Sequence, residues 1–217
     1  MERTVSCSRY TLTVLWEDPA APAFYTVSEA GDARGLFASL PAPRPTLVCI
    51  EGVDWNRDLS PWAARKVFRG GEDFSGGADA FLHILLTELI PAAEASLSPA
   101  WRGIFGYSLA GLFSLWAMTR TDTFSRCASV SGSLWFDGFT DYLSAHPLLG
   151  QPKRVFLSLG DREEKAKNHR MQLVRAATGA AQAVIEAQGV PCAFELNPGG
   201  HFQDILDRQR RAVLALL

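Results

Sequence analysis

Arg102-Gly103-Ile104-Phe105-Gly106-Tyr107-Ser108-Leu109-Ala110-Gly111 compresses the end of a strand, a turn and the start of a helix into one short segment. Ile104 and Phe105 read as the close of a buried strand, and Leu109, Leu112, Phe113 and Trp116 then recur at helical spacing. Between them sits Ser108, hemmed in by glycines and an alanine. A strand that turns straight into a helix at Gly-x-Ser-x-small holds its serine in a strained turn at the top of a sheet. The small neighbours let strand and helix pass close together. Ser108 is therefore a candidate nucleophile. A serine hydroxyl attacks poorly until an imidazole takes its proton, and the imidazole needs a carboxylate to fix its tautomer. The rest of the chain must supply a base, an acid and an oxyanion hole.

On either side of this segment the pattern alternates between strands and helices. Thr46 to Ile50 is a short continuous apolar run, as in a strand buried on both faces. A long helix carries Phe81, Leu82, Leu85, Leu86 and Leu89, with Pro91 kinking or restarting it. Strands follow at Arg126 to Ser131 and Lys153 to Leu159. Next comes a helix with Met171, Val174, Ala181 and Ile185 on one face and Gly189 as its stop. A strand at Cys192 to Leu196 precedes a helix carrying Phe202, Ile205, Leu206 and Val213. This alternation predicts an α/β fold with a mostly parallel central sheet flanked by helices. Ahead of it, Thr4 to Ser8, Tyr10 to Trp16 and Phe24 to Val27 read as antiparallel strands, and Glu29 to Pro45 as a surface wrap. Ser60-Pro61 reads as a helix cap with proline at the first helical position, giving a short helix from Pro61 to Phe68. Arg69 to Gly77 reads as a glycine-rich loop at the rim. With no repeat or linker, residues 1–217 are expected to form one domain.

In open parallel sheets, ligands bind beyond the carboxyl ends of the strands. Three groups of the right chemistry fall there. Ser108 is one. Gly160-Asp161-Arg162-Glu163-Glu164 follows a strand and supplies carboxylates, and Asn197-Pro198-Gly199-Gly200-His201 follows the next and supplies a histidine. The order serine, acid, histidine is that of α/β-hydrolases. The backbone N–H of Leu109 is the expected first oxyanion donor. The second should come from Glu51-Gly52-Val53-Asp54-Trp55, with Val53 ahead of Asp54. Asp54 reads equally well as a turn residue bonded to its own backbone. Trp55, Trp62 and Trp135 lie near this edge; Trp135 is the strongest pocket-wall candidate, and Asp54, Trp55 and Tyr107 are placed beside it. His83, His146 and His169 compete poorly as bases. A metal site from Asp161, Glu163, Glu164 and His169 lacks paired-histidine spacing, so no metal or cofactor is expected.

Composition narrows the alternatives. Hydrophobic residues make up 47% of the chain, enough for a sizeable core. The 21 lysines and arginines nearly balance 23 acidic residues, so no basic field argues for nucleic acid. The densest apolar run, Phe81 to Ile90, is broken by His83, Thr87 and Glu88, and no membrane association is expected. Met1-Glu2-Arg3-Thr4 leads into an alternating pattern, and Cys7, Cys49, Cys127 and Cys192 form no Cys-x-x-Cys pair. These point to a cytoplasmic protein with reduced thiols. A small-molecule ester is the expected partner, with the chain a monomer or homodimer.

Gly-Tyr-Ser-Leu-Ala-Gly followed by Leu-Phe, then Ser131-Gly132-Ser133-Leu134-Trp135-Phe136, Leu-Gly-Asp-Arg-Glu-Glu and Gly-Gly-His-Phe together resemble the putative-esterase (esterase D-like) branch of the α/β-hydrolases. The likeness is strongest to its siderophore-esterase-type members and runs from Thr46 onward. Family motifs usually read Gly-His-Ser-x-Gly-Gly and Ser-Pro-Ser-x-Trp-Trp; here Tyr107, Ala110 and Gly132 depart from them. The resemblance implies carboxylic-ester hydrolysis through an acyl-serine, with Ser108 as nucleophile, His201 as base and an acid among Asp161, Glu163 and Glu164. Position after the strand matches Glu163 to the family's usual acid. Between Ser131 and Lys153 there is room only for a short segment with Phe136, Phe139 and Tyr142, so no lid domain is expected. The same acyl-enzyme could serve an acyltransferase, and the fold without chemistry could serve as a binding module.

Overall fold

Along the strands at the middle of the molecule, neighbouring apolar side chains face two different cores. Val48, Ile50 and Ile104 join one; Leu47, Cys49 and Phe105 join the other. A computed structural model describes residues 1–67 and 69–217. It begins with β1 (Glu2–Cys7), β2 (Tyr10–Leu15), β3 (Ala23–Val27), α1 (Ala30–Ser39) and β4 (Thr46–Glu51). Then come α2 (Trp55–Asp58), β5 (Ala63–Ala64), β6 (Phe74–Ser75), α3 (Ala78–Ile84) and, after a π-helical turn at Leu85–Leu89, α4 (Ile90–Ala93). The remainder runs β7 (Arg102–Tyr107), α5 (Leu109–Ala117), β8 (Arg126–Val130), α6 (Phe139–Ala145), β9 (Arg154–Gly160), α7 (His169–Gln172), α8 (Val174–Ala187), β10 (Cys192–Asn197) and α9 (Ile205–Leu216).

The main sheet has eight strands in the order β1-β2-β4-β3-β7-β8-β9-β10. β1 pairs with β2, and β2 with β4, antiparallel; every later pairing in the sheet is parallel. This is the α/β architecture expected from the sequence. α1 and α9 cover one face, while α3, α4, α5 and α8 cover the other. Every residue of α5 is buried, which explains its apolar run on all sides.

Four local expectations need correction. β3 is parallel to both its neighbours, because the chain returns through α1 as a crossover rather than a hairpin. α1 itself lies within the stretch expected to wrap the surface; Gly31 and Gly35 weaken its helical signal, and only Ala33 and Leu36 are buried. The expected helix from Pro61 is instead the strand β5, paired with β6, while Phe68 lies outside the described residues. Ser60 does not cap a helix: its buried hydroxyl donates to Asn56 O at 2.7 Å and accepts from Gly76 N at 2.9 Å, closing the base of that hairpin. On α9, Ile205 and Leu206 are exposed and Arg208, Gln209, Ala212, Val213 and Leu216 are buried, with exposed Phe202 preceding the helix. The helix is rotated from its apolar pattern.

Pro91 does restart its helix. The π-helical turn just before it gives the backbone the slack that a missing N–H and a bulky ring demand. Between β8 and β9 the chain forms only a short turn and α6, with no inserted domain over the cleft. Among the described residues no helix is long and apolar enough to cross a membrane.

Candidate active site

The site sits where β7, β8, β9 and β10 end. Ser108 joins β7 to α5 with φ 59° and ψ −121°, a conformation costly for a residue with a side chain. The turn is this sharp because Gly106 lies against the helix: a Cβ there would come within 2.4 Å of the Ala110 backbone. Strain is thus accepted at the one residue whose hydroxyl must stand clear of both elements.

The Ser108 hydroxyl lies 3.0 Å from His201 Nε2, and His201 Nδ1 lies 2.7 Å from Glu163 Oε2. An ionised carboxylate only accepts, so Nδ1 carries the proton and Nε2 is left to accept from the serine. Glu163 is buried in the 3-10 turn Glu163–Lys165 that follows β9. Its Oε1 accepts from the Ser131 hydroxyl at 2.8 Å, Gly160 N at 2.6 Å and Arg208 Nη1 at 3.1 Å. Burial works against its charge. The His201 ring, the Gly160 N–H and the Ser131 hydroxyl outweigh that penalty and hold the carboxyl below its ordinary range.

The other two carboxylates point elsewhere. Asp161 is exposed and accepts from Gly199 N at 2.8 Å, bracing the histidine's loop. Glu164 pairs at 3.2 Å with Arg175 on the surface. His169 is exposed near Gln172, so these side chains do not converge as metal ligands. Among the described residues no cluster of three or more potential metal-binding side chains forms. His83 and His146 are also exposed.

In front of Ser108 opens a cleft of about 420 Å³. Trp55, Phe74, Tyr107, Trp135, Met171 and Phe202 give it largely apolar walls. Gly71 and Glu72, from the glycine-rich loop, form part of its rim. Leu109 borders the cleft, and its N–H, at the first position of α5, has no partner within the helix. Val53 and Asp54 do not line the cleft. Asp54 caps α2 by accepting from Arg57 N at 3.1 Å, and its own N–H donates to Asp58 Oδ2 at 2.9 Å; the turn is folded back onto α2. Trp62 is likewise absent from the wall, its indole donating to Asp137 O at 2.9 Å.

Tyr107 does more than border the cleft: its hydroxyl donates to the backbone carbonyl of His201. Sequence reasoning missed Ser131, Ser133 and Arg208. Ser133 borders the cleft with its hydroxyl 3.5 Å from that of Ser108. A serine inside a strand-to-turn motif gives a weak signal, and a buried arginine gives none, since charge ordinarily marks the solvent face.

Residues 25–205 match the family model Esterase, described as "Putative esterase". An uncharacterized protein, YbbA, of Bacillus subtilis is 29% identical over 139 residues, covering 62% of this chain and 56% of that protein. The match therefore spans little more than half of that relative's length. The fold is similar to that of an IroE-like serine hydrolase from Shewanella oneidensis, with a TM-score of 0.80 at 16% identity, covering 98% of this chain and 79% of that one. It is also similar to the siderophore hydrolase EstA from Aspergillus nidulans, with a TM-score of 0.73 at 18% identity, covering 100% and 93%.

Proposed function

The chain belongs to the putative-esterase family, and from that premise we propose that it is a carboxylic-ester hydrolase working through an acyl-serine at Ser108. One observation carries the reading: the unbroken line from Ser108 Oγ to His201 Nε2 at 3.0 Å, and from His201 Nδ1 to Glu163 Oε2 at 2.7 Å. As Ser108 Oγ bonds to the ester carbonyl carbon, its proton passes to Nε2, and Glu163 stabilises the imidazolium. The carbonyl oxygen gains negative charge, and the Leu109 N–H at the positive end of α5 is the donor closest in sequence to meet it. The carbon–oxygen bond to the alcohol then breaks, and that oxygen leaves with the proton from Nε2. Water repeats the sequence on the acyl-serine, giving the acid and restoring the hydroxyl.

The open cleft and the absence of an inserted domain between β8 and β9 favour bulky esters. The siderophore-hydrolase name of one structural neighbour makes siderophore-like esters the first class to try. Treatment with a fluorophosphonate followed by mass spectrometry should place the adduct on the peptide containing Ser108. Unlabelled protein, or a Ser108→Ala variant that keeps full esterase activity, would sink the mechanism. Product transfer to an added alcohol at the expense of hydrolysis would reassign the chain to acyl transfer.

A further inference from the structure

Arg208 is only 1% exposed, among the largest fully buried side chains of the described residues, and it lies on the sheet-facing side of α9. Its guanidinium reaches groups at the ends of four strands, β7, β8, β9 and β10. Nη1 lies 3.1 Å from Glu163 Oε1, 3.1 Å from the Ser131 hydroxyl and 3.4 Å from the Tyr107 hydroxyl. Nη2 donates to the carbonyls of Pro198 and Gly200, each at 3.0 Å. Tyr107 in turn donates to the carbonyl of His201. Two carbonyls of the histidine's loop are therefore held directly by the same buried group that holds the acid, and a third is reached through Tyr107. Gly160 leaves room for this packing: a Cβ there would meet the Gly199 carbonyl at 2.3 Å, and also Arg208 Nη2 at 2.9 Å and Nη1 at 3.1 Å.

We propose that Arg208 is the positioning residue of this site, fixing the spacing between the loop that carries Glu163 and the loop that carries His201. The proposal rests on the serine-hydrolase reading above. A planar guanidinium can satisfy a carboxylate on one branch and two carbonyls on the other at fixed angles, which a flexible ammonium cannot. It also sets a positive charge behind Glu163, so the imidazole meets a partly balanced carboxylate. The charged and titratable groups around that imidazole come from several elements. Glu163 lies after β9, Arg208 on α9, and Tyr107 at the end of β7 with its ring 5.4 Å from that of His201. Asp161 is turned away to Gly199 N, and Arg162 to Gln203 Oε1 at 3.2 Å.

Arg208→Met should lower kcat by about 10- to 100-fold with KM for a small ester within about threefold, because the loss is of alignment and not of substrate contact. The acid limb of its kcat/KM profile should move to higher pH. Removing the cation leaves Glu163 free to stabilise the imidazolium more fully, so the base is protonated at a higher pH. Arg208→Lys keeps the charge and loses the fork: its limb should stay and its kcat should still fall. Should Arg208→Met fail to fold, Arg208→Lys decides, and an undiminished kcat there overturns the proposal. So does a folded Arg208→Met with an unshifted limb and wild-type kcat. A wild-type protein that neither hydrolyses esters nor takes up the fluorophosphonate overturns the underlying reading instead.

Discussion

The flank of Ser108 formed by the ends of β8, β9 and β10 and the flank formed by α2 and the β5–β6 hairpin are built from opposite materials. The first is a buried polar network: Glu163 and Arg208 bond each other and share Ser131, while Gly160 N–H holds the carboxylate and two loop carbonyls hold the guanidinium. The second turns the apolar rings of Trp55 and Phe74 to the cleft and keeps its own polar bonds, such as those of Asp54 and Ser60, within α2 and the hairpin base. In a low-dielectric interior each bond of the first flank acts strongly, and each unmade bond is costly. Apolar contacts on the second flank are individually weak and tolerant of shape. On the proposed reading, this arrangement would place orientation of the reacting groups on one side and accommodation of the substrate on the other.

This contrast can be broken most directly at its centre. Ser108→Ala is expected to cut ester hydrolysis by about 10⁴-fold or more while leaving the thermal midpoint near wild type, read by assay and melting curve together. Within the polar flank, Glu163→Gln is expected to cost about 10³-fold, whereas Asp161→Asn and Glu164→Gln should each stay within about threefold. A reversed ranking would move the acid. At the elbow, Gly106→Ala should destabilise the fold by about 1–3 kcal/mol, since the new methyl meets the Ala110 backbone; a denaturant midpoint unchanged from wild type would contradict the close approach.

On the open flank the effects should be smaller and different in kind. Trp55→Ala is expected to raise KM for a bulky aromatic ester about tenfold while sparing kcat for an acetate ester, separable in a two-substrate comparison. The smallest effect is on stability against pH. The folded Glu163 carboxyl is held below its ordinary range, so it contributes stability that is fully present above the unfolded value near about 4.3. That contribution is lost as pH falls through the lower folded value. Wild type should therefore lose more of its thermal midpoint than Glu163→Gln as pH drops from about 7 to about 3. Parallel curves would show that the carboxylate is not preferentially ionised in the fold.

What the sequence made legible follows the same division. The elbow, the strand preceding each loop and the order of the loops all leave local marks: small residues around Ser108, apolar runs before Gly160 and Asn197, glycines before His201. Such marks need no knowledge of pairing. The parallel placement of β3 does, because a strand's own residues do not record its neighbours, and α1 was hidden by its two glycines. The face of α9 was read backwards at Ile205 and Leu206, which are exposed, because hydropathy ranks them above Arg208. What justifies burying that arginine is a set of acceptors delivered by other parts of the chain, invisible within any window of sequence. Asp54 shows the reverse case, where a polar residue beside the elbow's edge turned out to cap its own helix.

Arg208 gathers its partners from 101, 77 and 45 residues away along the chain, besides the two carbonyls of the loop that carries His201. Loops of that length close only after nearer contacts have formed, since each closure costs chain entropy before any bond repays it. During refolding the helices and the antiparallel β1–β2 pair can register before the guanidinium finds its place. On the esterase reading proposed above, returning hydrolysis should be a stricter clock than returning helix content.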